Sequence, residues 1–127
     1  MSMAGRELES DETMRLISAD KVAGTSVYGA DRKKIGSIDK IMVDKHSGRV
    51  SFAVMSFGGF LGIGEKLHPL PWNSLRYDEE LDGYVVGLTK DALDKAPSYD
   101  AGREPDWADP GYREGVRGYW GGTPPIV

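Results

Sequence analysis

The chain has 127 residues, 16 Lys and Arg against 20 Asp and Glu, and 39% hydrophobic residues, enough for one modest domain around one core but not for two. It has no cysteine, which removes disulfides, Cys-ligated zinc, iron–sulfur clusters and thiol nucleophiles together. Its two histidines, His46 and His68, cannot build a three-histidine zinc site and offer a hydrolytic triad only two bases.

Residues 1–14 are polar and are expected to form a flexible N-terminus. They lack the apolar core of a signal peptide, and no later run approaches the roughly 18 apolar residues of a membrane span. A cytoplasmic protein without membrane insertion is expected. The net charge of -4 is unevenly spread: residues 21–66 carry eight Lys and Arg against four acids, and residues 67–127 carry six against eleven. The basic residues Lys33, Lys34, Lys40, Lys45 and Arg49 fall mostly at strand ends and turns, where a solvated rim is the simpler reading than a nucleic-acid face.

Ser18 is placed to cap a short helical turn through Asp20, Lys21 and Val22, which Gly24 ends. Thr25 to Tyr28 is β-branched and aromatic and reads as a strand closed by a turn at Gly29–Asp31. From Lys34 to Asp44 the isoleucines at 35, 38 and 41 repeat as in a helix, while Ile41 and Val43 alternate as in a strand. Gly36 decides for strand, because it would weaken a helix by about 1 kcal/mol and it sits where the alternation slips, as a β-bulge requires. Gly48 is placed to take the left-handed conformation at the end of a hairpin loop, so His46 is a turn residue.

The return strand, Arg49 to Phe57, is apolar on both faces: Val50, Phe52 and Val54 alternate with Ala53, Met55 and Phe57. Both faces need cover, one from the core and the other from a helix, a tail or a second chain. Residues 57–64 carry glycines at 58, 59, 62 and 64, but Gly64 is followed by Glu65, Lys66 and Leu67, which is neither a P-loop nor a dinucleotide fingerprint. The segment reads as a glycine-rich connection that either presents Phe60, Leu61 and Ile63 as a contact surface or tucks them over the end of the fold. No cofactor is expected. Pro69 and Pro71 make the next segment an edge or rim strand, with Leu70 and Trp72 on one face. His68 reads as a partly exposed packing residue. Leu75–Asp78 and Tyr84–Leu88 form a hairpin, and Thr89 is placed to cap a short helix stopped by Pro97.

Residues 97–127 hold five of the seven prolines and six of the seventeen glycines, so they read as a tail. The same stretch holds Tyr99, Trp107, Tyr112, Tyr119 and Trp120, five of the twelve aromatics, and disordered segments lack such residues. It is expected to dock on its own domain, on a second copy or on another protein.

Leu16-Ile-Ser-Ala-Asp-Lys-Val-Ala-Gly-Thr-Ser-Val-Tyr28, Lys34-Ile-Gly-Ser-Ile-Asp39 and Ser56-Phe-Gly-Gly-Phe-Leu-Gly-Ile-Gly-Glu-Lys-Leu-His-Pro-Leu-Pro-Trp72 together resemble the PRC-barrel domain family. That family is named for the cytoplasmic part of the photosynthetic reaction centre H subunit and includes free-standing bacterial members. A more distant likeness is to the second domain of a ribosome maturation factor. The resemblance runs over about residues 15–98, with residues 99–127 as a Pro-, Gly- and aromatic-rich extension. It implies an all-β fold, a small, strongly bent antiparallel β-barrel with short helical turns, acting as a binding or assembly module without known chemistry. No H-subunit proton-pathway residue carries over, and no anchor precedes residue 15, which argues against an H-subunit role.

Three functions follow. The first is a non-enzymatic module that associates as a homodimer or with another protein through Phe57, Phe60, Leu61, Ile63, Trp72, Trp107, Tyr112, Tyr119 and Trp120. The second is RNA or ribosome association, from the basic middle and the maturation-factor likeness. The third, a hydrolase using Asp39, Asp44 or Glu65 with His46 or His68, has no spacing that brings such groups together; no catalytic or metal residue is expected.

Overall fold

The computed structural model describes residues 13, 15–60 and 63–121. Seven strands form one sheet in the order β5-β6-β1-β2-β3-β4-β7: β1 Ser26–Tyr28, β2 Lys34–Val43, β3 Val50–Phe60, β4 Ile63–Pro71, β5 Arg76–Asp78, β6 Gly83–Val85 and β7 Tyr99–Asp100. Two single-turn helices, α1 Ala19–Val22 and α2 Lys90–Leu93, flank it, and a longer helix, α3 Pro110–Gly121, ends the described chain. The sheet-rich fold is as expected, with two differences. The ladder has two ends, β5 and β7, and does not close on itself. One ladder is parallel, Val27↔Tyr84 and Tyr28↔Val85, because the chain runs out through β2, β3 and β4, crosses to the other end of the ladder at β5, and turns back through the antiparallel β5–β6 pair so that β6 lies along the free edge of β1 in β1's own direction.

Gly36 works as the sequence suggests. The ladder between β1 and β2 passes from Val27↔Gly36 to Tyr28↔Lys34, skipping Ile35. On the other side, a Cβ at position 36 would stand 2.2 Å from the carbonyl oxygen of Ser56, so only glycine lets β2 approach β3 there. The β2–β3 turn also forms as read: Gly48 has φ +77°, and Asp44 Oδ1 accepts the backbone N–H groups of His46 and Ser47, both at 2.8 Å. These bonds hold the Asp44 carboxyl below the usual carboxylate range.

Both short helices lie where expected, but neither Ser18 nor Thr89 makes a side-chain cap. Ser18 instead donates its hydroxyl to the Asp20 carboxylate. Residues 57–64, read as a connection, are mostly ladder: β3 and β4 stay paired out to Phe60↔Ile63. Main-chain pairing needs no side chain, so glycines do not interrupt it where the partner strand is adjacent. Beyond Leu67, β4 has β3 on one side and no β7 on the other, which is where Pro69 and Pro71 cost no ladder bond.

The core is built around Val27, Met55, Leu70, Val86 and Leu93, which are fully buried. His68 joins them at 3% exposure, more buried than its sequence setting suggested. Its Nδ1–H donates to the Pro97 carbonyl at 3.1 Å, and that bond satisfies the ring where the chain leaves α2.

Candidate interaction surfaces

Strand β3 is covered on both sides, and the tail supplies the second cover. Ala53 and Met55 belong to the main core, whereas Val54 packs with Leu67 and Tyr99 in a second cluster that Trp107 adjoins. Phe52, two residues from Val54 and so on the same face, has the Trp107 ring at 5.5 Å between centroids and the Arg117 guanidinium 4.6 Å above its own.

Residues 97–121, the described part of the segment read as a tail, are therefore built into the fold. Tyr99 and Asp100 add a strand to β4. Pro110 then opens α3, where proline is tolerated because the first-turn N–H has no helical partner. Tyr112, Val116, Tyr119 and Trp120 fall at positions i, i+4, i+7 and i+8 of that helix, one apolar stripe. Val116 and Trp120 are buried, and Tyr119 donates its hydroxyl to the Ala92 carbonyl at 3.0 Å. A polar latch fixes the approach to the helix: Glu104 Oε2 accepts Lys40 Nζ at 2.6 Å and Trp107 Nε1 at 2.7 Å. Those two donors hold Glu104 below its ordinary range, and burial pushes Tyr99 and Tyr112 up.

Of the residues expected at a contact surface, Trp107, Tyr112, Tyr119 and Trp120 thus meet the chain's own sheet and α2. Trp72 is half-buried with its ring 5.4 Å from Tyr84. Phe57 is half-buried against His68 at 5.7 Å. Phe60 and Ile63 form the last pair of the β3–β4 ribbon, and Leu61 lies outside the described residues.

The uneven charge also resolves in three dimensions. Arg32 pairs with Asp78 and Glu80, Lys40 with Glu104, and Lys66 with Asp100. Each pair joins the basic middle of the sequence to its acidic rear, so these cations are partly neutralised from within.

Of the groups weighed for hydrolysis, the two histidines stand apart. His46 is exposed in the β2–β3 turn, while His68 is buried in β4. Asp44 faces the turn amides, and Asp39 is exposed on β2. Among the described residues, no three His, Asp or Glu side chains gather where they could hold a metal ion.

Two openings were not foreseen. A cleft of about 520 Å³ lies against β5 and β6, lined by Leu16, Ile17, Tyr77 and Tyr84, and Leu16 is 73% exposed. A smaller hollow, about 150 Å³, lies where the β2–β3 turn meets α3, between Met42, Val43, Phe52, Arg113 and Arg117. The signal for the second was present in the sequence as two arginines four apart, which a helix stacks on one side, but it became readable only once residues 110–121 were helical.

Among the described residues no helix is long and apolar enough to cross a membrane. Residues 14–93 match the family model of the PRC-barrel domain. No curated protein matches the chain.

Proposed function

The chain belongs to the PRC-barrel domain family, and on that premise we propose that it is a non-catalytic assembly module that pairs with a second copy of itself through the β3–β4 ribbon. We read the bent sheet as the family's barrel, with an interior filled by the fully buried Val27, Met55, Leu70 and Val86.

One observation carries the reading. The β2 ladder on β3 ends at Ser37↔Ser56, and the β7 ladder on β4 ends at Lys66↔Asp100, yet β3 and β4 stay paired to Phe60↔Ile63. Along Phe57-Gly58-Gly59-Phe60 the outer edge of β3 has no ladder among the described residues. Such an edge, without the proline or lysine that usually blunts one, is a template for another strand. The run is also a palindrome. Antiparallel pairing about a two-fold axis between Gly58 and Gly59 sets Phe57 of each copy opposite Phe60 of the other, which is the self-complementarity of an isologous interface. The tail aromatics, which pack against their own sheet, are not needed for it.

Light scattering after size exclusion tests the proposal. The full chain is expected at twice its 13.9 kDa, and Phe60→Lys, which places a charge on the edge, is expected to return it to one. A strict monomer at tens of micromolar, or a dimer indifferent to Phe60→Lys, overturns the reading.

A further inference from the structure

We propose that the hollow between the β2–β3 turn and α3 docks an acidic peptide segment of another protein, one in which a carboxylate stands beside an aliphatic side chain. This inference uses a different surface from the ribbon and does not depend on self-association.

Among the described residues, the hollow's two arginines lack the acidic partners that other cations of the chain have. Arg32, Lys40 and Lys66 each have a carboxylate within 4 Å. Arg113 and Arg117, four residues apart on α3, have none among the described residues. Arg113 Nε has no acceptor among the described residues, so no hydrogen bond from that atom ties the side chain to the fold. Arg117 lies over the Phe52 ring at 4.6 Å, a stacking that supports the guanidinium while leaving its N–H edge for a carboxylate. The one acid in the lining is Asp44, and its Oδ1 is already taken by two turn amides. Lys45 and Arg49 flank it in the same turn.

The floor argues for peptide over polynucleotide. Val43 is 47% exposed beside Met42 and Phe52, an apolar seat with no role for a phosphate but a fit for an aliphatic side chain. At about 150 Å³ the hollow is the size of a side chain and not of a cofactor. The whole chain carries -4, which disfavours a long polyanion while leaving a short acidic segment to be held locally.

The test is fluorescence anisotropy on the full chain with a labelled peptide alternating glutamate and leucine. Comparison probes alternate glutamate with serine and lysine with leucine, and a single-stranded oligonucleotide stands for nucleic acid. The glutamate–leucine peptide is expected to bind best, to weaken as salt rises from about 50 to about 200 mM, and to lose at least about tenfold in affinity with Arg117→Glu. Arg117→Glu is expected to bind the lysine–leucine peptide in its place. Val43→Ser, which leaves α3 untouched, is expected to weaken binding several-fold and serves if Arg117→Glu does not fold. Unchanged affinity in both variants, equal affinity for the glutamate–serine peptide, or tighter binding of the oligonucleotide overturns the proposal.

Discussion

Trp107 lies with its ring centroid 5.5 Å from that of Phe52, joining the last third of the chain to the middle of its sheet. Phe52 is 2% exposed: it belongs to the main core cluster, with that indole beside it and the Arg117 guanidinium over its ring. Tyr99 and Tyr112 pack edge-on to the same indole at 6.4 and 5.8 Å, so one side chain keys strand, helix and sheet together. Trp107→Ala is expected to cost about 3 kcal/mol, the lower end for removing a large aromatic because Trp107 is itself partly exposed. Urea unfolding followed by far-ultraviolet circular dichroism measures it; a loss under about 1 kcal/mol would mean the tail is held elsewhere.

Ending the chain at Ser98 removes β7, the latch and α3 at once. The face bearing Phe52, Val54 and Leu67 then meets water, a contiguous apolar patch of the kind that drives aggregation. The shortened chain is expected to bind the dye ANS, to melt earlier than the full chain and to aggregate as it is concentrated. If it stays free of aggregation with an unchanged melting temperature, the tail is not part of the folded unit.

The latch has a pH signature. Lys40 first, and then the Trp107 indole, hold the Glu104 carboxyl below its ordinary 4.5, so in the acid range the folded state binds fewer protons than the unfolded chain. The contribution is whole above about pH 4.5 and is lost as pH falls through the lower folded value. Since 47% of the side chain is exposed, screening keeps it to the scale of a surface pair, under about 1 kcal/mol. Glu104→Gln is expected to flatten the acid limb of a plot of urea midpoint against pH while leaving its neutral region slightly lower. An identical acid limb in both proteins counts against the latch.

The sequence was most legible where one residue had one physical job. Gly36 and Gly48 marked a bulge and a left-handed turn, and the double apolar alternation of 49–57 required cover on both faces before any cover was visible. It misled where composition outweighed spacing. Prolines and glycines made 97–127 look like a tail, yet Pro110 stands at a helix start, and a Cβ at Gly115, Gly118 or Gly121 would meet nothing within 4 Å. The breakers thus lie on the open side of α3, and the stripe 112, 116, 119 and 120 decides the structure. The aromatics of the same stretch pointed the other way, to a segment that docks, and its own domain was one of the three places expected. The arginine hollow was hidden for a different reason: its walls come from residues 42–52 and 107–117, and no local pattern reports a contact of that separation.

Gly36 gives a sharp test of the bend. A methyl group there would meet the Ser56 carbonyl oxygen at 2.2 Å and the Met55 side chain at 3.1 Å. The nearer obstacle is backbone, which cannot swing aside, so β2 and β3 must separate. Gly36→Ala is expected to cost about 3 kcal/mol, the upper end of overpacking penalties, and to speed exchange of the β2 and β3 amides. A change below about 1 kcal/mol would show that the two strands do not approach this closely.

His68 titrates against the fold. Burial lowers its pKa below the ordinary 6.5; the Pro97 carbonyl and the nearby Asp94 pull the other way, and Lys66 adds to the lowering. The folded state therefore keeps a neutral ring where the unfolded chain takes up a proton. By linkage, the stability from burying neutral His68 is present above about pH 6.5 and declines as pH falls from there toward the folded value. The ring carbons followed by NMR are expected to titrate below 6.5. His68→Phe is expected to remove the slope of stability between about pH 6.5 and 5, and to lose about 1 kcal/mol at pH 8 because the Pro97 carbonyl is left without its donor. A ring that titrates at or above 6.5 would place His68 in contact with water, and with it the strand end from which the β3–β4 ribbon departs.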